Sequence, residues 1–308
     1  MSGPVVVLAG GTGGAKLARG MLDVIEDPAE LVVVANTGDD VEIYGAHVSP
    51  DPDLCLWWLA DRIDPRGWGL DGDTFNVMDG LRELGVDVWF NLGDRDLAVC
   101  VDRARRLAEG ERLTDALAAL AASLGVGARV LAMADDPVRT RVRAGDRWWP
   151  FQEFMIRHGA QGPVQDVAFD GAEAATAPPE VLAAIASARA IVIGPSNPVI
   201  SIGPILAVPG IADALRDASA PVVAVSPIVG GEVVKGPTAA FMAWAQTSSD
   251  AAGIAATYAG LIDGLVCDEG RPTGLGVPAL STDTLMADAA GRERVARETL
   301  GFAAGLSG

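Results

Sequence analysis

The chain has 308 residues, of which half are hydrophobic, so it is long enough to bury a substantial core. Its 41 acidic residues outnumber its 23 basic ones, and a surface with a formal net charge of -18 repels phosphate backbones, so we expect no nucleic-acid partner. No apolar run approaches the roughly 18 residues that span a bilayer, and no signal-peptide pattern is present, so we expect a cytoplasmic protein without a membrane partner.

Short apolar runs alternate with helical patterns along the chain. A run of β-branched residues without polar alternation is typical of a strand buried on both faces, as in a parallel sheet covered by helices. Such runs occupy residues 4–9, 31–35, 190–194, 221–225 and 264–268. The pattern predicts an α/β fold with a mostly parallel sheet and helices on both of its faces.

Strand patterns are missing between about residues 92 and 178. That stretch carries helical patterns followed by a segment rich in Trp and Arg, VRTRVRAGDRWWPFQEFMIRHG. We interpret residues 92–177 as an inserted smaller lid region, and residues 1–91 and 178–308 as the core of one domain. No internal repeat and no linker composition indicates a second unit.

The first predicted strand runs into a glycine-rich turn, GGTGG, at residues 10–14. Ligands of open parallel sheets bind beyond the carboxyl ends of the strands, where glycines let backbone N–H groups approach a phosphate. The turn matches no Walker loop, because Ala15 and Leu17 flank Lys16, and no dinucleotide fingerprint, which needs glycine at position 16. A tight turn without a ligand is therefore the alternative.

Two of the 23 basic residues are lysines, Lys16 and Lys235, and each follows a glycine-rich turn after a β-branched run. Lysine offers a phosphate a mobile point charge, so we expect Lys16 to contact a ligand. For Lys235, ligand contact and an incidental position are equally open.

Acidic residues cluster after the second predicted strand. The motif NTGDD places Asp39 and Asp40 there, and SPDPDL follows with Asp51 and Asp53. Carboxylates at this density repel one another unless a cation or a hydrogen-bond donor intervenes, and hard oxygen ligands suit Mg2+. Asp53 also fits the first turn of a helix as a cap, so metal binding and capping are both open.

Two further loops carry polar groups, one at the start of a predicted helix and one after a predicted strand. The motif NLGDRDLA places Asp94 and Arg95 at a helix start, where Arg95 either holds a phosphate or polar ligand or pairs with a neighbouring aspartate. The segment GPSNPVISIGPIL follows a predicted strand and offers Ser196, Asn197 and Ser201, neutral groups that suit a base or a sugar.

Several segments together resemble the 2-phospho-L-lactate transferase (CofD) family of coenzyme F420 biosynthesis. They occur in the family's order over nearly the whole chain: LAGGTGGAKLARG, NTGDD, SPDPD, GWGLDGDTF, LGDRD, MADDPVRT, FQEF, IGPSNPVISIGPIL and VSPIVGGEVVKGP. The resemblance implies a Rossmann-like core, an inserted smaller α+β region and a homodimer.

The resemblance also implies a reaction. A Mg2+-dependent transferase would take a guanosine-diphosphate-linked donor of the lactyl-2-diphospho-5'-guanosine type and move its phospholactyl group to the ribityl hydroxyl of the deazaflavin Fo. Phosphoenolpyruvyl and phosphoglyceryl groups are the other candidates for transfer. The products would be GMP and coenzyme F420-0 or its dehydro form.

Site residues carry over from the family by matching motif. The donor diphosphate is expected beside the glycine turn and its lysine: Gly10, Gly11, Thr12, Gly13, Gly14 and Lys16. The guanosine portion is expected beside Ser196, Asn197 and Ser201. Candidate Mg2+ ligands are Asp39, Asp40 and Asp53, and candidate Fo contacts are Asp53, Asp94 and Arg95. The catalytic candidates are Asp53, Asp40 and Lys16, with Asp53 first as the group that accepts the ribityl proton.

Some positions depart from the family, and two other functions fit parts of the pattern. Pro52 and Leu54 stand where many members have Leu and Thr, and Pro150 stands where a His often precedes FQE. The same superfamily includes YvcK-like regulators that bind nucleotide sugars, although the GDRD and FQE segments favour the transferase. An NAD-dependent dehydrogenase is disfavoured, because the first turn lacks its third glycine and Asn36 stands where an acidic residue is needed.

Overall fold

The computed structural model describes residues 3–233, 237–270 and 272–306. Lys235 lies outside the described residues, so its expected role stays a prediction. The strands are β1 (Val5–Ala9), β2 (Leu31–Ala35), β3 (Val41–Ile43), β4 (Ala46–Val48), β5 (Arg129–Ala132), β6 (Arg139–Ala144), β7 (Arg147–Pro150), β8 (Val164–Asp170), β9 (Ala190–Ile193), β10 (Val222–Val225), β11 (Ile228–Val229), β12 (Glu232–Val233), β13 (Gly264–Cys267) and β14 (Ala279–Ser281).

The helices fill most of the sequence between the strands. They are α1 (Gly11–Val24), α2 (Pro50–Leu59), α3 (Asn76–Glu83), α4 (Asp94–Ala108), α5 (Leu113–Ser123), α6 (Phe151–Ile156), α7 (Pro179–Ala186), α8 (Gly203–Ala207), α9 (Ile211–Arg216), α10 (Thr238–Trp244), α11 (Ala251–Thr257) and α12 (Ala289–Leu306). A π-helical turn, Pro198–Ile202, leads into α8.

A seven-stranded parallel sheet forms the centre of the molecule, in the order β14-β13-β10-β9-β1-β2-β5. The predicted runs are β1, β2, β9, β10 and β13, and every residue of these strands is buried. The α/β fold is confirmed. Strand order reverses between β1 and β9, and a crevice at such a reversal is where open sheets of this kind bind ligands.

Helices cover both faces of the sheet, as predicted. Along β1, Val6 and Leu8 face one apolar core, while Val5 and Val7 face the other. The first core is closed by α7, α8, α9 and α11. The second is closed by α1, α2, α5 and α12. No helix in the described part of the chain is long and apolar enough to cross a membrane.

The expectation that strands are absent between residues 92 and 178 is wrong. Strand β5 lies within that range and pairs with β2 along Val32 to Ala35, so it forms the edge of the main sheet. It escapes the pattern because it is four residues long and follows the alanine-rich helix α5 closely. Strands β6, β7 and β8 then form a separate antiparallel sheet. The proposed division into core and insertion stays a prediction.

Candidate active site

Two clefts lie side by side, the first at the carboxyl ends of β1, β2, β9 and β10 and the second against α2 and the loops before α3 and α4. The first, which we call the glycine-loop cleft, measures about 330 Å³ and is lined by the turn at residues 10–13, by Lys16 and by the loop at residues 195–201. The second, the aromatic cleft, measures about 360 Å³ and is lined by Trp57, Trp68, Phe75 and Phe90 among others. Asp51 lines both clefts, so the two spaces meet at one carboxylate.

Close packing explains most of the glycines in the turn between β1 and α1. A Cβ on Gly10 would lie 2.6 Å from the Cβ of Ser201, and a Cβ on Gly14 would lie 2.7 Å from the Oγ of Ser196. Gly11 has a φ of +62°, in the left-handed region that other residues rarely adopt. The turn is therefore pressed against the loop after β9, and these two loops together form one wall of the cleft.

Asp51 is held in place by hydrogen bonds from both sides. The backbone N–H of Gly11 donates to its Oδ1 at 2.8 Å, and the Nδ2 of Asn36 donates to its Oδ2 at 2.9 Å. Asn36 is itself fixed, because its Oδ1 accepts the N–H of Gly38 at 2.8 Å. Burial raises the pKa of Asp51 to about 6 in spite of these donors.

Asp39 lines the glycine-loop cleft beside Asp51 and has fewer hydrogen-bond donors around its carboxylate than Asp51 has. Its side chain is buried, and its Oδ1 has no hydrogen-bond partner. Burial raises the pKa of Asp39 well above its usual value, and the nearby charge of Asp51 raises it further. A bound cation would stabilise a buried carboxylate that has an unpaired oxygen and an acidic neighbour.

The side chain of Asp40 contacts Ser49 and His47 instead of the cleft that Asp39 lines. Its Oδ1 accepts a hydrogen bond from the Oγ of Ser49 at 2.8 Å, and its Oδ2 lies 3.0 Å from the Nε2 of His47. Asp40 is absent from the lining of both clefts. Its predicted roles in metal binding and catalysis therefore require that existing contacts be exchanged.

Asp53 lines the aromatic cleft and forms a buried ion pair with Arg103 of α4. The guanidinium of Arg103 also donates to the carbonyl oxygen of His47 at 3.0 Å. Asp96 and Cys100 lie close by, and each offers an atom within 4.8 Å of an oxygen of Asp53. Burial and the charge of Asp53 raise the pKa of Asp96 to about 7. Arg103 already supplies the positive charge that a metal would bring to Asp53.

Asp94 and Asp73 cap the starts of two neighbouring helices reciprocally. Asp94, the first residue of α4, accepts the backbone N–H groups of Asn76 and Val77 at the start of α3, at 3.1 and 3.0 Å. Asp73, just before α3, accepts the N–H of Arg95 at 3.0 Å at the start of α4. The hydrogen bonds that Asp94 accepts, first from the N–H of Val77 and then from the Oγ1 of Thr74, lower its pKa to about 2.

The predicted contacts of Asp94 and Arg95 with a ligand stay predictions. Asp73 lines the aromatic cleft, whereas Asp94 and Arg95 do not appear in its lining. The hydrogen bonds of Asp73 and Asp94 instead fix the backbone at the start of α4, and this backbone lies at the cleft. Gly93 and Asp96, on either side of Asp94 and Arg95, both line the cleft.

The three neutral residues predicted at the nucleotide all line the glycine-loop cleft: Ser196, Asn197 and Ser201. Ser196 accepts the N–H of Gly10 at 3.2 Å. The Oδ1 of Asn197 accepts the N–H groups of Val199 and Ile200, which starts the π-helical turn, and its Nδ2 donates to the Oγ1 of Thr238 at 3.3 Å. Ser196 and Asn197 thus shape the wall as well as facing the cleft.

Lys16 extends from α1 into the glycine-loop cleft. Its Nζ donates to the carbonyl oxygen of Met286 at 3.0 Å and lies 5.6 Å from the centre of the Trp58 ring. These contacts hold the ammonium group at the wall of the cleft, where a positive charge suits an anionic ligand.

Sequence reasoning missed part of the site. Asp51 was one of four acidic residues without a distinct role, and only the fold shows that it lies between the clefts. The aromatic residues of the second cleft come from α2, from the loop before α3 and from the loop before α4, so no local pattern joins them. The tryptophan of GWGLDGDTF, Trp68, was the one available signal.

The donor set of the glycine-loop cleft fits a divalent cation. Asp39 and Asp51 both line it, and neither forms an ion pair with any residue that the structure describes. The unpaired Oδ1 of Asp39 supplies the independent indication, because a buried carboxylate oxygen without a donor is strongly unfavourable. Of the predicted metal ligands, Asp39 therefore fits best, with Asp51 as its partner.

Comparison with solved structures shows the same fold elsewhere. A crystal structure of a UPF0052-family protein from Bacillus halodurans superposes with a TM-score of 0.65 at 17% sequence identity, covering 97% of this chain and 99% of that one. At this identity the likeness concerns the fold alone.

Sequence relatives are much closer. A phosphoenolpyruvate transferase of Kitasatospora aureofaciens is 38% identical over 312 residues, covering 97% of both chains. A phosphoenolpyruvate transferase of Streptomyces coelicolor is 40% identical over 312 residues, with 97% of this chain and 98% of the relative covered. A 2-phospho-L-lactate transferase of Methanosarcina mazei is 37% identical over 289 residues, with 92% and 94% covered.

The family-level comparison covers most of the sequence. The model of the family described as 2-phospho-L-lactate transferase CofD matches residues 5–282, which include both clefts except for the segment at residues 284–286. The match agrees with the resemblance seen in the motifs. The chain belongs to the 2-phospho-L-lactate transferase CofD family and is a transferase.

Proposed function

We propose that the chain transfers an acid-bearing phosphoryl group from a guanosine-diphosphate-linked donor to the ribityl hydroxyl of the deazaflavin Fo, with release of GMP. The observation that carries the proposal is the pair of clefts that meet at Asp51. One has the features of a phosphate site, a glycine turn and a lysine, and the other has aromatic walls that suit a flat ring system.

The donor would occupy the glycine-loop cleft. Backbone N–H groups at the start of α1 and the ammonium group of Lys16 would face its diphosphate, in line with the expected roles of residues 10–16. The neutral side chains of Ser196, Asn197 and Ser201 would face the guanosine. Phosphoryl transfer depends on positioning and charge neutralisation, and both are what these groups supply.

Asp39 and Asp51 would hold the Mg2+ ion. When bound, this ion neutralises charge on the phosphate oxygens. Of the alternative ligands, Asp40 lines neither cleft, and Asp53 already forms an ion pair with Arg103.

The acceptor would occupy the aromatic cleft. Trp57, Trp68, Phe75 and Phe90 would pack against the deazaflavin ring, and the ribityl chain would reach towards Asp51 and Asp53. Asp53 is our candidate for the group that orients the attacking hydroxyl and takes its proton. Burial raises the pKa of Asp53 although Arg103 favours its ionised form, so this carboxylate would both orient the hydroxyl and take its proton.

The acid on the donor is the least constrained part of the proposal. Relatives at similar identity carry the names phosphoenolpyruvate transferase and 2-phospho-L-lactate transferase. Lactate, enolpyruvate and glycerate differ by small groups, which a modest change of side chain accommodates. We therefore propose the phospholactyl, phosphoenolpyruvyl and phosphoglyceryl groups as the substrate class.

A direct assay tests the function. The protein is incubated with Fo, Mg2+ and each of the three guanylated donors, and mass spectrometry looks for the phosphodiester product and GMP. Product with at least one donor supports the proposal. No product with any donor, together with calorimetric binding of a UDP-sugar and not of GDP or Fo, would favour a nucleotide-sugar-binding regulator instead.

We also propose that the protein acts as a homodimer, as the family resemblance implies. Light scattering coupled to size-exclusion chromatography measures the molar mass directly. A mass near twice the 31.6 kDa of one chain supports the proposal, and a mass near that of one chain contradicts it.

A further inference from the structure

The segment between β14 and α12 contributes to the glycine-loop cleft through Thr284, Leu285 and Met286. We call residues 283–288 the C-terminal strap. The match to the family ends at residue 282, so the strap lies beyond the matched residues. The carbonyl oxygen of Met286 accepts the hydrogen bond of Lys16 at 3.0 Å. The strap therefore lies next to the lysine that is expected at the donor diphosphate.

The strap is held firmly by its own contacts. The Nη2 of Arg294 donates to the Oδ2 of Asp283 at 2.6 Å and to the carbonyl oxygen of Leu285 at 3.2 Å. The Oδ1 of Asp283 accepts the N–H of Leu285 at 2.9 Å, and the side chain of Met286 packs into an apolar core. Thr284 lies between these fixed points, so its position at the cleft is set before any ligand arrives.

The hydroxyl of Thr284 has no partner. The residue is 3% exposed, and its Oγ1 is buried without a hydrogen bond. Among the buried polar side-chain atoms that lack a partner in the described part of the chain, those of Thr284 and Asp39 belong to residues that line this cleft. Leaving a buried hydroxyl unpaired is unfavourable, so such a group at a cleft wall indicates a ligand.

Thr284 lines the cleft although its Oγ1 is buried, so its hydroxyl would meet a ligand by turning about χ1. Rotation about χ1 exchanges the hydroxyl and the methyl group of a threonine without any movement of the backbone. A hydroxyl is neutral and donates one hydrogen bond, so beside an ammonium group it suits an anionic oxygen. Asp39, the other residue with an unpaired atom, is acidic and suits a cation instead.

We propose that Thr284 is a donor-binding residue, whose hydroxyl donates a hydrogen bond to a phosphate oxygen of the guanylated donor beside Lys16. The inference rests on the proposed function for the identity of the donor. It adds a residue that neither the motifs nor the family match assigns, and it gives the C-terminal strap a role in recognising the phosphate-bearing end of the nucleotide.

The test is isothermal titration of GDP into the full-length protein with Mg2+, comparing the wild type with Thr284→Val. Valine keeps the shape of the side chain and removes the hydroxyl, and a hydrogen bond to a charged group is typically worth about tenfold or more in affinity. We expect GDP binding to weaken by about tenfold. In the transfer assay, KM for the donor should rise by a similar factor while kcat changes little, and Thr284→Ser should restore both.

Thr114 provides a matched control. Its hydroxyl is also buried without a partner, but the residue lies in α5 and lines neither cleft. Thr114→Val should leave GDP binding unchanged. Neither valine variant should lower the thermal unfolding temperature, because each replaces an unpaired buried hydroxyl by a methyl group.

The outcomes separate this inference from the proposed function. If the wild type binds GDP and Thr284→Val binds it equally well, the inference is overturned and the proposed function stands. A Thr284→Val variant that loses thermal stability and kcat, with donor affinity unchanged, also overturns it, because the role would then be structural. If the wild type binds no GDP, the proposed donor is wrong and the contact is wrong with it.

Discussion

Two buried carboxylates, those of Asp39 and Asp51, line the glycine-loop cleft. Asp39 and Asp51 destabilise each other by like charge, and Asp39 leaves one oxygen without a partner. An arrangement of this kind costs stability in the metal-free protein and becomes favourable when a cation binds. Stability and metal affinity should therefore respond in opposite directions when one of these charges is removed.

The substitution Asp39→Asn tests that opposition. Without Mg2+, at pH 8, the variant should unfold at a higher temperature than the wild type, because a buried charge near Asp51 has been removed. With Mg2+ the order should reverse, because the variant has lost a ligand. Thermal unfolding in chelator and in a series of Mg2+ concentrations measures both effects.

Asp40→Asn is the control for this prediction. Asp40 was an equal candidate in the sequence, but Ser49 and His47 already occupy its oxygens. We expect Asp40→Asn to keep the stabilisation by Mg2+. If Asp40→Asn abolishes it and Asp39→Asn does not, the assignment of the metal ligands here is wrong.

The pH dependence of stability follows from the pKa of Asp51. In the folded, metal-free protein this pKa is about 6, above the ordinary value of 3.8. A raised folded-state pKa means that the contribution to stability is complete below about pH 4 and is lost as the pH rises through about 6. The free energy of unfolding of the wild type should therefore fall, relative to that of Asp51→Asn, between these two values.

Urea unfolding of both proteins in chelator, from pH 4 to pH 8, measures the difference. Taking the difference removes the contributions of carboxylates that do not interact with Asp51, whereas Asp39 still contributes, because the charge of Asp51 raises its pKa. Saturating Mg2+ should reduce the decline, since a bound cation favours the ionised carboxylate. A difference that is constant with pH would contradict the raised pKa.

The ion pair between Asp53 and Arg103 gives a prediction of stability. Both side chains are buried, so Asp53→Asn leaves an unpaired guanidinium, and removal of one member of a buried pair typically costs about 3–5 kcal/mol. We expect a clear fall in the free energy of unfolding along with any loss of turnover. Denaturant unfolding measures it, with Asp213→Asn as the control, because Asp213 pairs with Arg216 on the surface and should matter little.

An unchanged stability for Asp53→Asn would show that Arg103 finds another partner. The turnover of the variant could then be assigned to Asp53 directly. If stability falls as expected, the activity must be measured under conditions where the variant is fully folded, so that the role in orienting the hydroxyl is separated from the role in the fold.

At the scale of elements, the packing of the first turn against the loop after β9 makes a prediction about glycines. A Cβ on Gly14 would lie 2.7 Å from the Oγ of Ser196 and 2.9 Å from the Cα of Ala9. Gly14→Ala should therefore destabilise the protein by about 1–3 kcal/mol through overpacking. Gly301, in the exposed middle of α12, has no atom within 4 Å of an added Cβ.

Gly301→Ala should instead raise the free energy of unfolding by about 0.5–1 kcal/mol, because alanine is a better helix former than glycine. Thermal unfolding of the two single variants makes the comparison. Equal effects of the two substitutions would contradict the close approach of α1 to the loop after β9.

The elements differ in how well the sequence predicts them. Continuous apolar runs identify β1, β2, β9, β10 and β13, since only a strand buried on both faces needs such composition. Strand β5 is short and ends in alanine, and its pairing with β2 depends on a contact far away in the sequence. Strand β6 of the small antiparallel sheet alternates arginine with Thr, Val and Ala, the pattern of a half-buried strand, which a criterion of continuous apolar runs does not detect.

The same limit applies to the site. The sequence predicts where loops leave the carboxyl ends of strands, so it places Ser196, Asn197 and Asp39 at the cleft. The sequence does not predict which side chains form hydrogen bonds or ion pairs with residues that are distant along the chain. The pairing of Asp40 with His47, the exchange of caps between Asp73 and Asp94, and the position of Thr284 all depend on packing between distant segments.

At the scale of the whole molecule, the arrangement of the two clefts bears on whether the phosphoryl group moves directly from donor to acceptor or through a covalent intermediate. Under the proposed function, the clefts that share Asp51 would bind the donor and the acceptor side by side, with their reacting groups at the boundary. A covalent intermediate would need a nucleophile there. The cysteines are buried, burial raises the pKa of Cys55 one turn of α2 after Asp51, and the carboxylate of Asp51 would be engaged by Mg2+ in the proposed site.

We therefore expect direct transfer within a ternary complex. Initial rates measured over a grid of donor and Fo concentrations should give intersecting double-reciprocal lines, and GDP should bind whether or not Fo is present. Parallel lines, or release of GMP from the donor in the absence of Fo with retention of the phosphoryl group on the protein, would indicate a covalent intermediate. Mass spectrometry of the intact protein after incubation with donor alone distinguishes the two, because a direct transfer leaves the mass of the chain unchanged.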